Sequence, residues 1–177
     1  LIMESEFDLT ICQEMVMDHG LLAPHPLLFD HEPDWSVKTV PFHVNVLQHP
    51  LPTPKRLWKL GQAMRLAVES YPEDARVVIL GTGGLSHQLH GDRFGHMNEK
   101  WDREFLDLLE GDPESLLDIP HDVWMDRGGA ESVEMMMWLT MRGALTPKVN
   151  EIHRNYYLPM LTGMGLTLMQ DAAAQAA

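Results

Sequence analysis

The chain has 177 residues, 45% of them hydrophobic, which is enough apolar material for one domain with its own core. Twenty-six acidic against 13 basic residues give a formal charge of -13, and with no Lys or Arg block anywhere, nucleic acid and anionic membrane are poor partners. Cys12 is the only cysteine, which excludes an intrachain disulfide and any CxxC motif and fits a reducing cytoplasm, while no apolar run reaches the roughly 18 residues that span a bilayer.

In chain order, LIMESEF has the pattern of the last turn of a helix, so the sequence is expected to begin in mid-domain. DLTICQEM reads as a short strand, and DHGLLAPHPLLFDHEPDW, with three prolines and His19, His25 and His31, as loop. VKTVPFHVNVL is β-rich, its Pro41 pointing to a sheet edge or bulge. Leu57, Leu60, Met64, Ala67 and Val68 share one helical face, in a helix expected to end near Tyr71-Pro72.

RVVILG, residues 76–81, is apolar throughout and predicts a central strand buried on both faces. Helix followed by strand at this spacing predicts an α/β fold: a layered α/β/α single domain around a central, mostly buried sheet. Asn98 is placed to cap a helix through WDREFLDLLEG, in which Trp101, Phe105, Leu108 and Leu109 share a face and Gly111 stops the run, and shorter helical pieces lie in PESLLDI and HDVWMDR. A further helix, AESVEMMMWLTMRGAL, is nearly apolar all round and therefore expected to be buried. NEIHRNYYLPMLTGMGLTLMQ is apolar and glycine-broken, and DAAAQAA is a small-residue tail.

Two residues stand out chemically. His87 follows the apolar strand and the loop TGGLS, where an open α/β sheet places its ligand crevice, and Gly83 and Gly84 let backbone approach a ligand closely. The plain alternative is a solvated loop histidine, and the absence of the P-loop lysine argues against nucleotide binding. Glu134 is a carboxylate set among apolar side chains, where it must be paired, neutral or metal-bound; a salt bridge to Arg127 or Arg142, or a wet stripe shared with Glu131, would satisfy it equally. The ten histidines show no HExxH or zinc-finger spacing, which leaves His19 and His43 as candidates only. The 13 methionines read as core filling.

GTGGLSHQLHG, N-x-x-WD-x-x-FLD, GGAESVEMMMWLTMRGAL and HRNYYLPM together resemble the catalytic chain of the class III extradiol ring-cleavage dioxygenases, the family of the gallate and protocatechuate enzymes. The similarity runs from EFDLTI and MDHG through PFHVNVLQHPLPT to HRNYYLP, nearly the whole chain. It implies that residues 1–177 are the C-terminal portion of one catalytic domain. Such enzymes hold non-haem Fe(II) with two histidines and a glutamate, and Glu134 matches the glutamate. The two iron histidines come from SH and NDH motifs that would precede Leu1. SHQ at 86–88 matches the catalytic histidine instead, so the chain carries one ligand of three and is not expected to bind iron tightly alone.

His87 matches the acid/base residue, a role that suits an imidazole because this group gives and takes protons near neutral pH. His19 matches a second active-site histidine that hydrogen-bonds substrate or oxygen, Thr162 lies in a segment bordering the substrate pocket, and Asn45 is a weaker candidate there. The implied reaction is extradiol opening of a carboxylated catechol such as gallate or protocatechuate by O2. A homodimer, or a hetero-oligomer with a small lid domain or subunit, is the implied assembly, and the cytoplasm the implied location. A zinc-dependent hydrolase on the same scaffold and a metal-free aromatic-acid binding homologue are the competing readings.

Overall fold

The computed structural model describes residue 2 and residues 5–172, which divide into a small unit, Asp8–Val44, and a larger one made by the rest. The helical turn expected at 1–7 falls partly, and the alanine tail from 173 onward wholly, outside the described residues.

In the small unit two short helices replace the loop expected there. Helix α1 (His19–Leu22) starts where Asp18 accepts the Gly20 N–H, and α2 (His25–Leu28) follows Pro24. His25 is buried, edge-on to Trp35 at 4.2 Å between ring centres, with Nε2 2.7 Å from Thr39 Oγ1. The strands expected in DLTICQEM and VKTVPFHVNVL do not form among the described residues.

The larger unit opens with α3 (Pro54–Glu69). Thr53 caps it by accepting the Arg56 N–H, and it buries Leu57, Leu60 and Met64 of the predicted face together with Ala63, whereas Val68, at the end of that face, is 37% exposed. Ser70 ends it just before the expected Tyr71-Pro72. Helix α4 (Glu99–Gly111) is capped by Asn98, as expected, and buries Trp101, Phe105 and Leu109, with Leu106 in the place assigned to Leu108. A 3-10 turn (Pro113–Leu116) and α5 (His121–Gly128) complete this side.

The apolar stretch after Gly129 is buried but is not one helix. Ala130–Met136 winds as 3-10 turns and only Met137–Gly143 is α-helical (α6). Ser132 is one cause: its hydroxyl donates to the Gly129 and Trp124 carbonyls, competing with regular helix bonding. Helix α6 lies directly on α3, which requires glycine on both sides. A Cβ on Gly61 would sit 2.1 Å from Thr140 O, and one on Gly143 2.5 Å from Trp58 O. Trp101, Phe105, Trp124 and Trp138 fill the interior, with the Trp101 and Trp124 rings 5.4 Å apart and Phe105 and Trp138 6.0 Å apart.

The sheet among the described residues is an antiparallel hairpin, β1 (Val149–Tyr157) with β2 (Met164–Asp171), bulged between Glu151 and His153. The chain is thus mixed α/β. RVVILG departs from expectation: it forms no strand, and Val77, Val78 and Leu80 are 47%, 57% and 44% exposed. A strand exists only by its ladder, and no neighbouring segment among the described residues offers one.

Candidate active site

Gly84 is the point on which the candidate residues converge. Its N–H donates to Glu134 Oε2 at 3.0 Å, while a Cβ at this position would lie 3.0 Å from His87 Cε1 and 3.0 Å from Thr162 Cγ2. Three side chains, 47 and 28 residues apart along the chain, therefore border one residue. Gly83, at φ +140, permits the approach, since a Cβ there would meet Glu134 O at 2.8 Å; its carbonyl accepts from Trp138 Nε1 at 3.1 Å.

Glu134 rises from the 3-10 segment and is partly buried. Neither of the arginines weighed as its partner is engaged with it. Arg142, fully buried, donates to the carbonyls of Leu109, Thr146 and Pro147, and Arg127 lies over the Trp101 ring, 4.0 Å from Glu104. Among the described residues no cation pairs with Glu134. Its carboxylate has one oxygen held by a backbone donor, which suits it to give the other to an electropositive ligand.

His87 is 5% exposed. Leu85 N donates to Gly163 O and Gly163 N to Ser86 O, both at 2.9 Å, and His87 forms an isolated antiparallel bridge with Thr162. The ring's Nδ1 lies 2.7 Å from Leu85 O. A carbonyl only accepts, so this contact assigns the proton to Nδ1 and leaves Nε2 as the acceptor of the neutral ring. Gly129, at φ +99, passes so close that a Cβ would stand 2.2 Å from His87 O.

The loop carrying His87 is stitched to the Glu134 segment further along. Gln88 Oε1 accepts the Ala130 N–H at 3.3 Å, and Glu131 accepts from Leu89 N and His90 Nδ1. Burial raises the Glu131 carboxyl, but these donors outweigh it and hold the group below its usual value.

Behind His87 is a group that the spacing analysis passed over. Asp102, fully buried in the first turn of α4, accepts from Ser86 N at 2.8 Å, Ser86 Oγ at 2.7 Å and Tyr156 OH at 2.9 Å. Burial pushes its carboxyl above the usual range against those three donors, and burial together with the bond to Asp102 pushes the Tyr156 phenol up. The signal was available: Asp102 shares a face with Phe105, Leu106 and Leu109, the same anomaly that singled out Glu134.

Asn45 spends its side chain on a turn, bonding to the Gln48 backbone through both its amide oxygen and nitrogen. His19, exposed, and His43, 4.0 Å from Asp18, belong to the small unit. No group of three or more His, Cys, Asp or Glu able to hold a metal occurs among the described residues.

The structure thus brings a glutamate and a histidine to one glycine-lined turn, and comparison with known sequences supplies the family. Residues 1–168 match the family described as the catalytic LigB subunit of aromatic ring-opening dioxygenase, and the chain belongs to this family. It is 45% identical over 170 residues to gallate dioxygenase of Pseudomonas putida, covering 96% of this chain and 50% of that protein. It is 27% identical over 190 residues to 2,3-dihydroxyphenylpropionate/2,3-dihydroxicinnamic acid 1,2-dioxygenase 2 of Pseudomonas putida, covering 82% and 59% respectively. The 2,3-dihydroxyphenylpropionate/2,3-dihydroxicinnamic acid 1,2-dioxygenase of Rhodococcus sp is 24% identical over 189 residues, covering 82% of this chain and 59% of that protein. The chain spans about half the length of the curated relatives it matches.

Proposed function

We propose that the protein containing this chain opens the ring of a carboxylated catechol such as gallate with O2, using Glu134 as one ligand to Fe(II) and His87 as the acid/base. The observation that carries this reading is the convergence of Glu134, His87 and Thr162 on Gly84. The higher identity to gallate dioxygenase, 45% against 27% for the dihydroxyphenylpropionate enzyme, favours the gallate side.

One unpaired carboxylate oxygen fits a hard cation, and two further donors are needed to complete a site of the two-histidine, one-carboxylate kind. Bound there, Fe(II) would supply Lewis acidity and a template for substrate and O2. The chain's own residues do the rest. Nε2 of His87, free to accept while Nδ1 is held by Leu85 O, takes a substrate hydroxyl proton and returns it later. Gly83 and Gly84 let Glu134, His87 and Thr162 close on one turn, and Thr162 keeps the place beside the substrate that its sequence match implies. His19 keeps the role that its sequence match implies, hydrogen bonding to substrate or oxygen. The layered α/β/α fold, with RVVILG as an inner strand, is part of this proposal on the strength of that run's composition. No described helix is long and apolar enough to cross a membrane; cytoplasmic location and assembly with a lid-bearing partner or second copy are part of this proposal.

The test is anaerobic Fe(II) loading of the full-length protein followed by gallate-dependent O2 uptake. Glu134→Ala should lose the metal, whereas His87→Ala should keep it and lose roughly 10²- to 10⁴-fold in turnover. Normal iron content in the glutamate variant overturns the assignment, as does zinc-dependent hydrolysis or aromatic-acid binding with no O2 uptake.

A further inference from the structure

We propose that Asp102 is a positioning residue for His87, acting through the single peptide unit between Leu85 and Ser86. This rests on the acid/base reading of His87.

That peptide has two ends, and both are used. Its N–H, from Ser86, donates to Asp102 Oδ1 at 2.8 Å, and its carbonyl, from Leu85, faces His87 Nδ1 at 2.7 Å. Because a peptide is planar and resists twisting, fixing the N–H direction fixes the direction of the carbonyl on the other side. Ser86 Oγ adds a second hold, donating to Asp102 Oδ2 at 2.7 Å while accepting the Asn98 N–H at 2.8 Å. The carboxylate thus grips Ser86 at two points and can neither slide nor rotate the peptide freely.

The carboxylate is itself fixed. It sits in the first turn of α4, where Asn98 is the cap, and Tyr156 on β1 donates to Oδ2 at 2.9 Å. Arg103 packs over the Tyr156 ring at 4.6 Å. Gly163 lies so close that a Cβ would stand 2.3 Å from Oδ2, so the segment bridged to His87 is moulded to this acid. Hydrogen bonds in such a row polarise one another: the carboxylate draws on the N–H, and the carbonyl becomes the better acceptor for Nδ1–H. Asp102 therefore acts on the orientation and tautomer of His87 without touching substrate, and keeps Nε2 as the face that accepts a proton.

The experiment uses the full-length, iron-loaded enzyme with gallate as probe and a double-mutant cycle. Asp102→Asn should lower kcat by roughly 10- to 100-fold with KM and iron content nearly unchanged, the loss expected for a misplaced catalytic group. In a His87→Ala background the same change should cost nothing further. ¹⁵N spectra of the metal-free protein should show the His87 ring leaving the Nδ1–H form in the Asp102 variant. If Asp102→Asn does not fold, Ser86→Ala, which keeps the backbone N–H and Tyr156 bonds to the acid, should reproduce a smaller loss that also vanishes in the His87→Ala background. A loss that multiplies with His87→Ala, or an unchanged kcat in the folded variant, overturns the positioning role. Full turnover in His87→Ala alone overturns the acid/base reading instead.

Discussion

The Gly84 N–H donates to Glu134 Oε2 at 3.0 Å, and the hydrogen that glycine carries in place of a side chain faces His87 and Thr162, each 3.0 Å from a built Cβ. One residue without a side chain therefore separates the candidate ligand from the candidate acid/base.

Gly84→Ala should crowd both neighbours at once. Since His87 is buried and hydrogen-bonded, it cannot retreat without giving up its bond to Leu85 O. The expected cost is about 1 to 3 kcal/mol of stability, the usual range for overpacking, with a loss of turnover larger than the stability loss explains. Urea unfolding beside steady-state kinetics separates the two, and a fully active variant contradicts the geometry.

Gly163→Ala puts a methyl group 2.3 Å from the Asp102 carboxylate oxygen, against a side chain tied to Ser86 and Tyr156. A drop in Tm of several degrees is expected for a loss of about 2 kcal/mol. Thermal unfolding followed by far-ultraviolet circular dichroism measures it; no change in Tm would mean that the strand shifts freely.

Arg142 satisfies three carbonyls, those of Leu109, Thr146 and Pro147, from a fully buried position, and burial lowers its guanidinium from the usual value without a carboxylate in contact. Arg142→Leu strands those acceptors and should cost about 3 kcal/mol or more. Arg142→Lys should recover little, because one ammonium cannot reproduce the planar fork. Denaturant midpoints of the three proteins give the comparison.

Acid titration should show two opposite signs. For Asp171, burial raises the carboxyl, but the Thr146 N–H and Arg65 outweigh it, so its folded value lies below the unfolded one; its stabilisation is present at neutral pH and lost as pH falls through the folded value. For Asp102 the folded value lies above the unfolded one, so stability is lost as pH rises from about 3.8 through the folded value. Asp171→Asn should therefore weaken the protein more at pH about 7 than at about 3, whereas Asp102→Asn should weaken it less at about 7 than at about 3. Unfolding free energies of each variant against the parent across this range decide it, and equal differences at both ends would refute the linkage.

By itself the sequence determined what is local or strongly patterned. Most of the apolar faces of α3 and α4, the Asn98 cap and the burial of the stretch after Gly129 follow from spacing and capping chemistry, which act over a few residues; Val68 and Leu108 are the departures. The family resemblance was equally legible, because its motifs lie in contiguous stretches. The tertiary structure alone decided the rest. RVVILG has the composition of an inner strand, yet strand formation needs a partner that composition does not contain. The hairpin 149–171 was missed in an apolar, glycine-broken stretch whose exposed face carries Leu166 and Leu168, so polarity does not mark the alternation. Glu134 was recognised as an anomaly, but that Gly84, and neither Arg127 nor Arg142, would meet it depends on folding across 50 residues. Asp102 reaches Ser86 across 16 and Tyr156 across 54, and hydrogen bonds at such separations leave no periodicity in a chain to be read.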